Sequence, residues 1–224
     1  MILKKILKWL YFKLPGSNIY MFHHLTLNPA IDCSGCKLDE QDFYEFIDRH
    51  GDYISIEELL KQNSFKRNKK NVITFDDGLI DVYYIAYPYL KSKNIPFTIF
   101  ILTDLLDTPG YLSKEQLIKM SKDDLVTIAA HGTKHRILTK SSYAEQKEEV
   151  VLGKKKLENI INKPVYYFAY SHGQYNEEII KLVSDAGFKS AFSVVGRPCN
   201  YFESKKIYCL PRFNIASYTL NQYK

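Results

Sequence analysis

The amino-acid sequence predicts an α/β fold in which a mainly parallel sheet is covered by helices. Strand-like and helix-like segments alternate about seven times, which is typical of strands joined to the next parallel strand by a helix. The length of 224 residues and the hydrophobic content of 46% suit a single globular domain. The alternation is compatible with a sheet closed into a barrel and with an open, doubly wound sheet.

The predicted strands are short runs rich in β-branched and aromatic residues. Each is bounded by turn residues or by a helical segment, and several end in polar side chains. In chain order they cover residues 19–25, which end in two histidines, 72–75 (V-I-T-F), 95–102 (I-P-F-T-I-F-I-L), 125–130, which run into His131, 164–170, 188–195, and 207–215, which Pro211 interrupts.

The segments between the strands have the apolar spacing and the capping residues of amphipathic helices. Phe43, Phe46 and Ile47 lie on one face of the first helix, and Ser55 with Glu58 three residues later forms a capping box for the second. The long fifth helix carries many Glu and Lys residues on its outer face. The predicted helices cover residues 38–50, 55–61, 79–93, 113–120, 143–162 and 176–186.

Composition and charge argue against several classes of protein. Charged residues make up 25% of the chain, an ordinary globular balance, so disorder is not expected. The formal net charge of +6 favours anionic partners only mildly, and no nucleic-acid-binding module accompanies the basic run at 66–70, so no nucleic-acid partner is expected. Cys33 and Cys36 have the spacing of half a zinc site, but Cys199 and Cys209 do not supply the other half, which favours reduced thiols.

Residues 1–14 are a basic amphipathic segment that precedes a single domain at residues 15–224. Isoleucines and leucines share one side of a helical wheel, while Lys4, Lys5 and Lys8 occupy the other. The segment lacks the unbroken apolar centre and the cleavage site of a signal peptide, and no stretch is apolar enough for a membrane span. A cytoplasmic protein is expected, with the segment either packed on the domain or lying on an anionic membrane.

The segment N-V-I-T-F-D-D-G, at residues 71–78, holds the first candidate site. Asp76 and Asp77 directly follow a buried strand, where adjacent residues point to opposite faces, so the two carboxylates can have different tasks only a few ångströms apart. Two acids this close resist ionising together unless a cation or a donor stabilises them. Taken alone, the segment is equally compatible with an ordinary turn, since Asp and Gly are common turn residues.

Histidines follow several of the other predicted strands. They are His23 and His24, His131 and His135, and His172. The carboxyl ends of parallel strands in a barrel meet at one mouth, so these side chains and the two aspartates are predicted to share a pocket. In a turn leading into a helix, the spacing of His131 and His135 brings both rings to one side. With one carboxylate they form a site suited to zinc or a similar divalent ion.

Two motifs resemble those of a known family. T-F-D-D-G at residues 74–78 and H-x-T-x-H at 131–135 are similar, in order and spacing, to the first motifs of the polysaccharide deacetylase family, also called the NodB-homology domain or carbohydrate esterase family 4. The resemblance extends over about residues 19–215 and implies a distorted (β/α) barrel of about seven parallel strands. It implies metal-dependent removal of N-acetyl groups, with Asp76 as the base. The implied metal ligands are Asp77, His131 and His135.

The later motifs of this family are altered here. A-Y-S-H-G at residues 169–173 stands where the family has arginine or alanine first and Pro-Tyr before the glycine, so the backbone N–H of His172 remains as the implied oxyanion donor. The usual C-terminal histidine is missing. M-F-H-H at residues 21–24 resembles the N-terminal Tyr-His segment of biofilm poly-N-acetylglucosamine deacetylases, in which the motif order is circularly permuted.

That permuted branch supplies the remaining implied roles. His23 is the general acid, with His24 as the less favoured choice, and Arg212 orients Asp76. The reaction implied is removal of N-acetyl or N-formyl groups from an amino sugar in a glycan or a glycan precursor, including a lipid-linked one. Zinc is the implied metal, with cobalt, nickel and manganese as alternatives. Two other functions stay open: an O-acetyl esterase on carbohydrate, and a catalytically silent glycan-binding barrel that keeps the metal.

Overall fold

The computed structural model describes residues 16–25, 36–62, 69–199 and 206–220, and these form one sheet of seven parallel strands. The strands are β1 (Asn18–Phe22), β2 (Asn71–Phe75), β3 (Phe97–Leu102), β4 (Val126–Gly132), β5 (Tyr167–Ala169), β6 (Ser190–Phe192) and β7 (Phe213–Asn214). Their order in the sheet is β6-β5-β4-β3-β2-β1-β7, so each strand from β1 to β6 lies beside its neighbour in sequence.

The last segment of the chain links the two edges of this sheet. The N–H of Ala191 in β6 donates to the carbonyl of Ile207 (3.1 Å), and the N–H of Ser193 donates to the carbonyl of Leu210 (2.8 Å). A few residues later β7 pairs with β1. The sheet is therefore curled into a distorted barrel, as the resemblance implied, and the doubly wound alternative is wrong.

Helices follow most of the strands. They are α1 (Glu40–His50), α2 (Ile56–Lys61), α3 (Tyr87–Ser92), α4 (Lys114–Met120), α5 (Tyr143–Lys147), α6 (Gly153–Ile161), α7 (Glu177–Asp185) and α8 (Ser217–Leu220). The predicted capping box of α2 is confirmed: Ser55 Oγ accepts from the N–H of Glu58, whose carboxylate accepts from the N–H of Ser55. Two π-helical stretches, Val82–Ala86 and Glu148–Leu152, precede α3 and α6.

The buried residues fall into two groups, because side chains alternate across each strand. One group packs under the helices and includes Tyr20, Phe75 and Phe168. The other consists of alternate strand residues that face the inside of the barrel, closed at its lower end by α2. This lumen cluster contains Ile19, Ile56, Leu59, Val72, Phe100, Ala129, Tyr167, Ala169, Phe192, Cys199 and Leu210. Residues two positions further along several of these strands lie at the mouth, where the candidate site is found.

The order of elements agrees with the sequence prediction, but several predicted bounds are wrong. The helix expected at 79–93 begins only at Val82, after a turn, and the one expected at 143–162 has a π-helical stretch in its middle. The strand expected at 207–215 is reduced to Phe213–Asn214. Pro211 lacks the N–H that a ladder needs, and the chain here passes from pairing with β6 to pairing with β1.

Some predictions concern residues that lie outside the described ranges. These are the amphipathic helix at residues 1–14, Cys33 of the cysteine pair, and residues 66–68 of the basic run. Within the described ranges, no helix combines the length and the apolar character needed to cross a bilayer.

Candidate active site

The candidate site lies at the mouth of the barrel, where the carboxyl ends of β1, β2, β4 and β5 meet. Asp76 follows β2 at the position that continues the lumen side of the strand, after Val72 and Thr74. His131 continues the same side of β4 after Ala129. Side chains that are about fifty residues apart in sequence are therefore neighbours, as predicted from the strand ends.

Asp76 is almost fully buried and is held by Arg212, which is completely buried. The Arg212 guanidinium donates from Nη1 to Oδ1 (2.6 Å) and from Nη2 to Oδ2 (2.8 Å), a bidentate pair. Its Nε–H donates to the carbonyl of Ser193 (3.0 Å), and Nη1 also donates to Thr74 Oγ1 (3.3 Å). Burial by itself would raise the pKa of Asp76, but the nearby charge of Arg212, with smaller contributions from His131 and His23, holds that pKa well below its usual range.

Asp77 lies in the turn after β2, and its backbone has a left-handed φ of 71°, followed by 74° at Gly78. This turn directs the Asp77 carboxylate into the mouth, so both adjacent acids reach the same site. Its Oδ1 lies 3.4 Å from Nε2 of His131 and 3.6 Å from Nε2 of His135. That oxygen is buried, and it finds no hydrogen-bond donor among the described residues.

His131 is oriented by a backbone hydrogen bond. Its Nδ1 lies 2.8 Å from the carbonyl oxygen of Ala169, which can only accept, so Nδ1 carries the proton and the lone pair of Nε2 faces the two aspartates. Burial lowers the pKa of His131 to about 4, although the neighbouring Asp76 acts in the opposite direction. At neutral pH the imidazole is therefore uncharged, as a metal ligand must be.

His135 reaches the site through a turn and not through a helix. The predicted helical start is wrong, because residues 133–135 have no helical structure and the backbone φ values are 103° at Gly132 and 63° at His135. The two left-handed positions fold the chain back and bring the ring centroids of His131 and His135 to 5.0 Å. The two imidazole rings therefore lie close together as predicted, but a turn brings them together and not the start of a helix.

The geometry of these side chains fits a divalent metal ion. The ligand atoms of Asp77, His131 and His135 all lie within 4.8 Å of one another. A tetrahedral zinc site with bonds of 2.0–2.1 Å separates its ligand atoms by about 3.3 Å, close to the two distances from the Asp77 oxygen. The buried oxygen without a donor also matches a position where a cation is expected. Three protein ligands leave one position open for water and substrate.

The two N-terminal histidines point to different sides of the sheet. His23 follows β1 on the lumen side and is near enough to contribute to the low pKa of Asp76, while its Nδ1 has no hydrogen-bond partner in the described part of the chain. His24 is buried on the helix side, where its Nδ1 lies 2.8 Å from Asp81 Oδ2. The carboxylate of Asp81 also accepts from the N–H of Leu25 (3.3 Å). The geometry thus places only His23 at the mouth.

His172 lies in the altered third motif, within a short 3-10 turn that spans Ser171–Gly173. Its φ of 57° is left-handed, and its ring packs against that of His135 with centroids 4.4 Å apart. Burial and the proximity of His135 lower its pKa. The sequence offered no role for this imidazole, and the structure brings it beside a predicted metal ligand.

Glu149 was not predicted from the sequence as a functional residue, because the helix that contains it was expected to carry its Glu residues on the outer face. In the structure only 1% of Glu149 is exposed. Its carboxylate accepts hydrogen bonds from the turn between His131 and His135. A signal was present in the sequence. Glu149 precedes Gly153 and Leu157 at intervals of four, so it lies on the face of the helix that packs against the sheet.

Comparison with known proteins identifies relatives of this chain. A family model described as polysaccharide deacetylase matches residues 64–191. The poly-beta-1,6-N-acetyl-D-glucosamine N-deacetylase of Staphylococcus epidermidis is 28% identical over an alignment of 162 positions that covers 63% of this chain and 54% of that protein. The chain spans little more than half the length of the curated relatives that it matches, 54% to 56% in two of them.

Solved structures share the fold over nearly the whole chain. The Streptococcus pyogenes deacetylase PplD, in complex with acetate, superposes with a TM-score of 0.78 at 21% identity, covering 94% of this chain and 97% of that one. IcaB from Ammonifex degensii superposes with a TM-score of 0.79 at 19% identity, covering 94% and 96%. At sequence identities of 21% and 19%, the structural similarity shows that this chain and the two solved proteins share a barrel fold.

Proposed function

Because the chain belongs to the polysaccharide deacetylase family, we propose that it is a metal-dependent hydrolase that removes N-acetyl groups from amino sugars of a glycan. One observation carries the proposal. Three side chains with converging ligand atoms lie directly beside the buried carboxylate of Asp76, which Arg212 keeps ionised. The distance from Nε2 of His131 to Asp76 Oδ2 is only 3.8 Å. The similarity to the poly-beta-1,6-N-acetyl-D-glucosamine N-deacetylase of Staphylococcus epidermidis supports a poly-N-acetylglucosamine as the substrate class.

In the proposed reaction Asp76 accepts a proton from the attacking water. Arg212 keeps this carboxylate ionised and fixes both of its oxygens, so that one can face the water in the mouth. A divalent ion held by Asp77, His131 and His135 would polarise the amide carbonyl and lower the pKa of the water, which suits a base as weak as Asp76.

Two further groups complete the proposed chemistry. The backbone N–H of His172 donates to the oxygen that gains negative charge when water attacks the carbonyl. His23 donates a proton to the departing nitrogen, because an amine that leaves without a proton is a poor leaving group. Support for His23 comes from its position on the lumen side, next to Asp76, whereas His24 is occupied by Asp81.

The proposal is tested by measuring acetate release from β-1,6-linked N-acetylglucosamine oligomers. We expect release by the wild type, loss of release in EDTA with recovery on adding zinc, and a fall of at least about 100-fold for Asp76→Asn. Thermal unfolding of the variant controls for folding. Activity that survives both EDTA and Asp76→Asn would refute the mechanism. Metal binding without any turnover would favour a catalytically silent glycan-binding barrel. Acetate release only from O-acetylated sugars would favour an O-acetyl esterase.

The identity of the metal and of the acyl group belongs to the same proposal. Two imidazoles and one carboxylate suit zinc, while cobalt, nickel and manganese accept the same donor set, so the apoprotein is to be reconstituted with each in turn. The proposal covers N-formyl as well as N-acetyl groups, so formate release is measured beside acetate release.

We also propose that the enzyme works at the cytoplasmic face of a membrane. Its substrate there would be a glycan precursor, including one that is linked to a lipid. The support for this membrane contact is the sequence pattern of residues 1–14, with lysines on one side of a helical wheel and aliphatic residues on the other. Partitioning onto vesicles with anionic lipid is to be compared for the full chain and a chain that starts at residue 15. Equal partitioning would contradict the membrane contact.

A further inference from the structure

Residues 132–134, here named the ligand turn, join the two histidines of the proposed metal site. Glu149 is buried beneath this turn. Its carboxylate accepts from the N–H of Thr133 (2.8 Å), from Thr133 Oγ1 (2.8 Å) and from the N–H of Lys134 (3.1 Å). One side chain on the π-helical stretch thus binds consecutive backbone donors between His131 and His135.

The opposite groups of the same turn are bound by the end of β3. The N–H of Thr103 donates to the carbonyl of Gly132 (3.2 Å), and the N–H of Asp104 donates to the carbonyl of Thr133 (3.1 Å). The ligand turn is therefore held from two sides, by a sheet neighbour through its carbonyls and by Glu149 through its N–H groups. These four main-chain hydrogen bonds hold the backbone path that leads from Gly132 (φ 103°) to His135, a non-glycine residue with a left-handed φ of 63°.

Two glycines allow Glu149 to come this close. A Cβ at Gly132 would lie 2.3 Å from Glu149 Oε2, so a larger residue there would displace the carboxylate. A Cβ at Gly153, one helical turn after Glu149, would lie 3.2 Å from the carbonyl carbon of Gly132. The two glycines thus let the helix and the ligand turn approach to backbone distance, which brings the Glu149 carboxylate within hydrogen-bond reach of the turn.

We propose that Glu149 is a positioning residue of the metal site, which sets the distance and the direction of His135 relative to His131 through the ligand turn. The inference rests on the proposed function, because it assigns Glu149 to the geometry of that site. The carboxylate of Glu149 binds the turn and is not one of the three side chains whose ligand atoms converge. Groups that orient metal ligands typically change metal affinity by 10–100-fold when they are removed.

Binding of Co²⁺ to the apoprotein tests this role, with affinity and the visible absorption spectrum of the bound ion as readouts. Glu149→Leu removes every acceptor at similar volume, and Glu149→Gln keeps one acceptor oxygen. Glu148→Gln is the matched control. It removes the same charge one residue away, from a side chain that contacts Lys134 Nζ (3.0 Å) and not the backbone of the turn.

We expect Co²⁺ to bind E149L roughly 10–100-fold more weakly than the wild type, with an altered spectrum, and E149Q to lie between the two. E148Q should bind like the wild type. Thermal unfolding confirms that each variant is folded at the temperature of the titration. If E149L does not fold, the test rests on E149Q. A Co²⁺ affinity and an absorption spectrum of E149Q equal to those of the wild type would then overturn the inference.

The outcomes separate this inference from the proposed function. A lower Tm for folded E149L with unchanged Co²⁺ affinity and spectrum would show a merely structural role and overturn the inference alone. Equal weakening in E148Q would assign the effect to net charge and overturn it as well. A wild type that binds no Co²⁺ would instead overturn the metal site of the proposed function.

Discussion

The buried pair of Arg212 and Asp76 gives a prediction about stability whose size follows from the structure. Arg212→Met keeps an unbranched apolar side chain, although a shorter one, and removes the five N–H donors of the guanidinium. The variant leaves the Asp76 carboxylate, which is almost fully buried, without its bidentate partner, and it leaves the carbonyl of Ser193 without a donor. Breaking a buried pair on one side costs about 3–5 kcal/mol in free energy of unfolding, because an uncompensated charge remains.

For a chain of this length, each kcal/mol shifts Tm by about 2–4 °C, so the expected loss is roughly 6–20 °C. Unfolding is to be followed by circular dichroism in EDTA, so that metal binding does not contribute. Lys91→Met is the control, because it breaks a surface pair with Asp123 in which the lysine is 57% exposed, and it should cost much less stability than Arg212→Met.

The pH dependence has a defined sign. In the wild type the folded pKa of Asp76 is lowered, so its contribution to stability is complete above the unfolded pKa of about 3.9 and is lost as the pH falls toward the folded value. Without Arg212, burial dominates and raises that pKa, so the variant gains relative stability as the pH falls. The difference in unfolding free energy between the two proteins should therefore be smaller at pH 5 than at pH 8.

A double-mutant cycle decides whether the pair is the cause. Asp76→Asn in the Arg212→Met background removes the unpaired charge and should recover part of the loss. The reasoning would be refuted if the stability losses of the two single variants summed to the loss of the double variant within about 0.5 kcal/mol. It would also be refuted if Arg212→Met cost no more stability than Lys91→Met.

Three further predictions follow from the site. His23→Gln should lower kcat by about 10²–10⁴-fold with little change in Tm, whereas His24→Gln should lower Tm, because it disturbs a buried contact with Asp81; kinetics and thermal unfolding of both check this, and the reverse pattern would make His24 the acid. Asp77→Asn should retain less zinc than the wild type after dialysis, as measured by metal analysis, and equal zinc content would remove Asp77 from the ligand set. Gly132→Ala should destabilise the protein by more than about 1 kcal/mol, since its φ is 103° and the added methyl meets Glu149; urea unfolding measures it, and an unchanged midpoint would show that the turn can relax.

Much of the site could be predicted because its parts are local in sequence. The strand before Asp76 and the H-x-x-x-H spacing each lie within a few residues, and alternation of strands and helices brings strand ends to one mouth whatever the details of the loops. The choice between His23 and His24 could not be made in this way. Residues 18–22 of β1 are buried on both faces, so no polar alternation in the sequence marks which side is the lumen.

The α/β class and the order of the elements could thus be predicted from the sequence alone, because they depend on periodicity, whereas the choice of Asp77 with His131 and His135 as metal ligands was implied by the resemblance of the motifs. Tertiary structure alone decided how distant side chains meet. The resemblance implied that Arg212 orients Asp76, but the bidentate pair across 136 residues forms only because the barrel closes through the last segment of the chain. Likewise Glu149 meets the ligand turn only because two glycines let a helix and a strand end approach to backbone distance. Contacts of this kind depend on how close elements pack, which no local pattern records.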